Sequence, residues 1–383
     1  MTRCCAAILV SLATLWGCKD PYVSPYKAPA TGYLVVEGYI SGNSTSQFTL
    51  TRTISLPGDS TLPTENGASV QIEGSDNSAY PMTGLGNGVY STTDTLQLNT
   101  QLAYRLRIKT SNGEQYLSDL VPYRPTPPID SVNFVENSDN SIQIYVNTHD
   151  PANSTHYYQW NFDQTYEYHS AEASYDYWDK DTTPPQIVPR PSNDQVFRCW
   201  QSGSSTNILI GNSTKLAADV IYEQPLKYIP PNDIQTSVLY SILVRQYSLT
   251  ADGYNFLSLM KQNTESLGSI FDAQPSQLTG NIHCLTNPTE QVIGYVCAGT
   301  VQSQRFWISR AQINSMYAYS CPGPDTLFTD PSKWANNFGS GVYTPLYYNM
   351  GSKGQGWEAN STECLVCTER GGVNVPPSFW PNQ

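Results

Sequence analysis

The sequence predicts a mostly β protein. It has an N-terminal immunoglobulin-like or transthyretin-like β-sandwich, then a larger β-sandwich with one inserted helix and a long disulfide-held C-terminal tail. Three observations predict this. Short runs alternate apolar and polar residues, the period of a half-buried strand. Among 383 residues there are 27 Tyr, 26 Gly and 27 Pro, and only 14% are charged, against about 25% in an ordinary soluble chain. That composition suits strands joined by many turns. Nine cysteines are present, and an even set of six follows the first three in a chain that opens like an exported protein, which favours cross-links.

The first element is the export signal. Met1-Thr2-Arg3 is short and positive, and Ala6 to Trp16 is uncharged and mostly apolar. That run is too short to cross a hydrocarbon layer of ~30 Å, which takes ~20 residues, but has the length of a signal-peptide core. Gly17-Cys18 follows, a small residue and then a cysteine, like the cleavage box of a bacterial lipoprotein. Residues 1–17 are therefore expected as signal peptide and Cys18 as a lipid-carrying mature N-terminus. The alternatives are an ordinary secretory cut nearby and a retained membrane helix. Several acyl chains on one residue make such anchoring stable. Residues 18–31, with Pro21, Pro25 and Pro29, form an extended tether.

Residues 32–121 carry the first sandwich, with strands at 33–40, 48–52, 68–72, 88–90, 104–109 and 115–120. Ser111-Asn112-Gly113 joins the last two as a hairpin turn. Residues 122–128 hold Pro122, Pro125, Pro127 and Pro128 and read as a linker, because proline does not fit a ladder interior. Residues 129–383 form the second β-rich domain. Its strands are expected at 130–135, 141–146, 156–168, 195–201, 207–210, 238–247, 291–298 and 305–309. In 156–168 alternate aromatics fill a core from one face and leave a row on the other. Residues 172–194 read as a loop. The one helix spans 250–266, with Thr250 as N-cap and Gly268 as stop. Residues 311–383 read as an irregular tail, of a length that calls for cross-links.

The function classes narrow next. A net charge of −12 argues against nucleic acid or an anionic surface as partner. The four histidines, His149, His156, His169 and His283, have no zinc-site spacing, and no nucleophile elbow is present. Gly351 to Gly356 lacks the spacing of a phosphate loop. A single Cys364-Leu365-Val366-Cys367 is half of a zinc finger's ligand set. A metal cluster with His283, Cys284 and Cys321, or a redox pair, are the alternatives to structural disulfides. The disulfide reading covers Cys199, Cys284, Cys297, Cys321, Cys364 and Cys367, with Cys364 and Cys367 each bonding elsewhere. No catalytic residue, metal ligand or cofactor is expected. The binding candidates are aromatic: Tyr175, Tyr177 and Trp178 beside Asp176, Asp179 and Asp181, and a second group around Trp334, Phe338, Tyr343, Tyr347, Tyr348 and Trp357. Packing in a core or interface is the alternative for both.

Cys199-Trp200, Tyr240 to Val244, Ser269 to Ser276, Gly280-Asn281-Ile282, Val292 to Tyr295, Glu363 to Cys367 and Pro376 to Trp380 occur in that order. With these motifs the chain resembles a Bacteroidota outer-membrane lipoprotein family, domain of unknown function 4249. The resemblance implies an outer-membrane, lipid-anchored protein encoded beside a TonB-dependent receptor and serving it as accessory or substrate-capture subunit. It favours a cell-surface position, although only Lys19-Asp20 matches the charged patch used for surface export in that phylum. A surface glycan-binding or adhesion module using Tyr175 to Trp178 is the alternative, and an enzyme of unrecognised type the third.

Overall fold

Alternation in the first module builds the expected strands, but they close on themselves. The computed structural model describes residues 32–54, 61–265, 278–314, 317, 319, 321, 323, 325–352 and 354–381. The signal peptide, Cys18, the tether and the Ser269 to Ser276 motif lie outside these residues. The strands are β1 Leu34–Ser41, β2 Gln47–Arg52, β3 Ser69–Gly74, β4 Ala79–Gly86, β5 Val89–Ser91, β6 Ala103–Lys109, β7 Gln115–Ser118 and β8 Val121–Arg124. The chain returns much later to add β18 Ile282–Cys284 beside β7, and β19 Ala298–Gly299, parallel to both β1 and β8. Because β8 also pairs with β6 through Ala103 and Tyr104, eight strands form a closed, barrel-like sheet in the order β6-β3-β4-β5-β2-β1-β19-β8.

This corrects the expected N-terminal sandwich. The closing strand is two residues long and lies far along the chain, so no local pattern announces it. Residues 291–298, read as a strand of the second domain, instead run along the first sheet, with Ile293 bridging Val35. The proline stretch is corrected too: Val121–Arg124 is a strand, with Pro122 exposed and Val121 and Tyr123 buried in the barrel core. Proline is tolerated there because its ring faces water while its neighbours keep the inward alternation.

The second module begins with β9 Ile129–Glu136, β10 Ile142–His149 and β11 Tyr157–His169. After β12 Asp176–Asp179 and β13 Gln186–Pro189 come β14 Arg198–Ser204, β15 Leu209–Asn212, β16 Val220–Ile229, β17 Leu239–Ser248 and, past the helix, β20 Val301–Ser309. One sheet is β16-β10-β9; the other is β14-β11-β17-β20 with β15 also on β11. Ile142, Ile144 and Val146 of the first sheet meet Tyr158, Trp160, Phe162, Tyr240, Ile242 and Val244 of the second in one core. Trp160 donates its indole N–H to Gln246 at 2.8 Å, and Gln246 donates to the Pro127 carbonyl and Thr148. A buried amide thus satisfies the core's largest side chain and fixes the incoming chain, as a buried polar group requires. No sequence pattern announces β16, because Pro225 and two register shifts break its period.

The helix forms as expected: α1 spans Ala251–Glu265, and Thr250 caps it by accepting the Gly253 N–H at 3.0 Å. Gly268, its expected stop, lies outside the described residues. The C-terminal tail is not irregular. β21 Thr326–Phe328, β22 Tyr343–Asn349 and β23 Gly356–Ser361 form a sheet, flanked by α2 Trp334–Gly339 and α3 Thr362–Leu365. A register shift between Pro345 and Tyr347 destroys the alternation that would have revealed it. Likewise the 172–194 loop holds the hairpin β12–β13.

Two disulfides hold the tail, Cys199–Cys367 and Cys321–Cys364. Cys364 and Cys367 therefore bond elsewhere, as expected. Cys284 and Cys297 are corrected: both are buried free thiols. The Cys284 sulfur accepts the Asn287 N–H at 3.3 Å. The Cys297 sulfur packs under α1, so close that a side chain at Gly253 would meet it at 2.8 Å. Each behaves as a small buried apolar residue.

Candidate functional site

The two modules leave a cleft between them, and strand alternation decides its chemistry. On β11 the residues Tyr158, Trp160 and Phe162 point into the core, so Gln159 and Asn161 point outward. On β17, Arg245 and Tyr247 do the same, paired across the ladder with Asn161 and Gln159. These four form the floor. The opposite wall is the outer surface of β1 with Val35, Glu37 and Tyr39, and α1 adds Phe256, Leu257 and Met260. The volume of this open cleft is about 1060 Å³. At Gly294, with φ of +153°, a side chain would strike the Val36 carbonyl at 2.4 Å, so glycine lets the 293–297 segment lie flat along the wall.

Tyr39 and Tyr247 meet edge to face across the cleft at 5.1 Å, and the Tyr39 hydroxyl donates to the Ser248 carbonyl at 3.1 Å. Burial raises the pKa of both phenols, so both stay protonated at neutral pH. Asn161 donates from Nδ2 to the Tyr247 oxygen at 3.2 Å. Its Oδ1 is buried without a hydrogen-bond partner, an arrangement that costs ~1–3 kcal/mol until a donor arrives. Among the described residues of the lining only Glu37 and Arg245 carry charge, and Arg245 is neutralised by Asp163 at 2.5 Å.

The aromatic candidates lie elsewhere. Trp178 stacks on Phe338 at 6.5 Å, Tyr177 lies under the Arg190 guanidinium at 5.5 Å, and Tyr175 is 73% exposed. Trp334 donates to the Phe328 carbonyl at 3.1 Å, and Trp357 packs edge-on against Tyr348 at 5.5 Å. The structure thus joins the two predicted groups through Trp178, and does so by packing; Tyr175 keeps an open face. Trp178→Ala is expected to lower stability by about 2 kcal/mol, since it empties contacts of a partly buried indole, whereas Tyr175→Ala leaves it unchanged. Urea denaturation of the two variants checks this; equal effects would contradict the packing role.

The histidines also lie outside the cleft lining. His156 approaches Ser213 at 3.1 Å, Ser213 donates to the buried Asp219, and His169 sits 3.0 Å from Glu167. Among the described residues no group of three or more His, Cys, Asp and Glu could hold a metal ion. Nor is any described helix long and apolar enough to cross a membrane. Gln159, Asn161, Arg245 and Tyr247 were not nominated from sequence. The usable signal was the outward row of the 156–168 strand, which alternation exposes but does not place opposite a second module.

The model of a family described as "Domain of unknown function (DUF4249)" matches residues 19–305. No curated protein matches the chain. Among solved structures, a chitinase ChiA74 from Bacillus thuringiensis aligns at 10% identity with a TM-score of 0.15. That alignment covers 53% of this chain and 29% of the chitinase chain, and a likeness so slight carries no argument about fold or activity.

Proposed function

The chain belongs to the DUF4249 family, and from that premise we propose a non-enzymatic, lipid-anchored outer-membrane protein that captures a ligand in the cleft and serves a TonB-dependent receptor. The observation that carries the reading is the cleft itself: a large space whose floor presents side-chain amides, a phenol and one paired guanidinium. Such a surface orients a ligand by hydrogen bonds. Cys18 holds the body at the membrane, and the prolines of the tether space it from the lipid. The cell-surface face is the one on which a captured ligand meets a receptor from outside.

Affinity purification of the tagged full-length protein from native membranes tests the partnership. A TonB-dependent barrel protein is expected to co-purify, and a Cys18→Ala variant is expected to lose membrane attachment. Recovery without any barrel protein would sink the receptor reading.

A further inference from the structure

We propose that the cleft takes a neutral, hydroxyl-rich ligand, a short oligosaccharide, gripped by Gln159, Asn161 and Tyr247. The inference rests on the capture reading and names its substrate class.

Hydrogen-bonding capacity comes first. A sugar hydroxyl both donates and accepts, and side-chain amides offer both ends within one planar group. Gln159 and Asn161 lie on the floor, and Gln302 also lines the cleft, with its Nε2 already donating to the Thr126 carbonyl at 3.2 Å. The Asn161 Oδ1 is buried and lacks a donor, while the Tyr247 oxygen accepts from Asn161 and leaves its own proton to give. A ligand hydroxyl at the Tyr247 oxygen accepts that proton. Asn43, also in the lining, is already engaged: its amide clasps the Val301 N–H and carbonyl at 2.8 and 2.9 Å.

Charge comes second. Arg245 is neutralised by Asp163, and Glu37 lies at the exposed wall. Among its described residues the lining therefore offers an anionic ligand no unpaired cation, and an acidic glycan or carboxylate loses hydration without compensation.

Backbone availability comes third. An extended peptide is held chiefly by ladder bonds to a free strand edge. At the floor β11 pairs with β17 on one side and, through Tyr157 to Trp160, with β15 on the other, β17 lies between β11 and β20, and β1 lies between β2 and β19. The floor is a sheet face whose backbone groups are spent, so recognition falls to side chains. Against them, Phe256, Leu257 and Met260 with the Tyr39–Tyr247 pair supply apolar surface for the C–H faces of sugar rings. The volume, about 1060 Å³, stands at the upper end of pockets for single small molecules, roughly 300–1,000 Å³. It suits more than one ring.

The test is an array of neutral and acidic oligosaccharides probed with the full chain, followed by titration calorimetry on the hits. Neutral oligosaccharides are expected to bind. Asn161→Ala and Gln159→Ala should each weaken binding about tenfold, the loss of roughly one hydrogen bond, and Tyr175→Ala should not. Gln159 is an outward residue of a sheet face, so its variant keeps the test informative if Asn161→Ala unfolds. A preference for acidic glycans, no glycan binding, or binding indifferent to both cleft variants overturns the proposal. Receptor co-purification is read separately. Glycan failure with the receptor retained removes the ligand class alone, whereas loss of the receptor removes the reading beneath it.

Discussion

Replacing Cys199 and Cys367 together by alanine lowers the stability of the folded chain by about 4 kcal/mol, read from urea denaturation without reductant. The bond ties β14 to the turn after α3 across 168 residues of sequence. Cross-linking so long a loop removes much entropy from the unfolded chain. Both sulfurs lie in the core of the second module, so alanine also forfeits buried contacts. The turn keeps other ties: the Cys367 N–H donates to the Val196 carbonyl at 2.8 Å, and the Tyr168 hydroxyl to the Cys367 carbonyl at 2.8 Å. Loosening therefore affects the tail first. Peptide mapping under non-reducing conditions should recover Cys199–Cys367 and Cys321–Cys364, with Cys284 and Cys297 reactive only after unfolding. A Cys364–Cys367 link, or both of these as free thiols, contradicts the arrangement.

That prediction was partly within reach of the sequence, and the boundary is physical. Export composition and an even set of six cysteines pointed to cross-linking, with Cys364 and Cys367 each expected to bond elsewhere, although a Cys-X-X-Cys spacing also permits a direct bond. Nothing local distinguishes Cys199 or Cys321 from Cys284 or Cys297, because pairing depends on which strands the fold brings together. The same limit governs the fold. Strands whose side chains alternate without interruption, such as Tyr104 to Lys109 and Ile142 to Val146, were legible because one face meets a core. Strands broken by a proline or a shifted register, at Pro225 and Pro345, were not. Barrel closure by Ala298–Gly299 is a tertiary event without local sign. The cleft suffered most. Asn161 and Tyr247 lie 86 residues apart, and each alone is an ordinary outward residue. Their meaning comes from a facing wall contributed by β1. The aromatic clusters are conspicuous in the sequence, yet in the fold Trp178 packs on Phe338 and Trp357 on Tyr348.

Replacing Glu167 by glutamine lowers stability at neutral pH by about 3 kcal/mol, and the deficit disappears in acid. Glu167 is fully buried on β11. Its Oε1 accepts from Arg198 at 2.8 Å and lies 3.0 Å from the His169 ring, and its Oε2 accepts the Trp380 indole N–H at 3.1 Å. Burial alone raises a carboxyl pKa, but these hydrogen bonds and the guanidinium charge outweigh it and hold the group at about 2. The unfolded carboxyl titrates near 4.5. Because the folded value is the lower one, the carboxylate's contribution is complete above pH 4.5 and is lost as pH falls towards 2. A shift of this size corresponds to about 3 kcal/mol. Glu73, paired with Arg105 and Arg107, and Asp150, bonded by the Ser154, Ala152 and Thr155 amides, are also held at about 2. Acid unfolding of the wild type therefore reports all three, and the difference from Glu167→Gln isolates one. Trp380→Phe separates the tail's share: it keeps the ring against Trp200 and Trp307 but deletes the donor, and should raise the Glu167 pKa while costing less than the charge removal. If the Glu167→Gln deficit measured by urea denaturation stays constant from pH 7 to about 2, the clasp between β11 and the C-terminal tryptophan is not electrostatic, and packing alone holds the end of the chain.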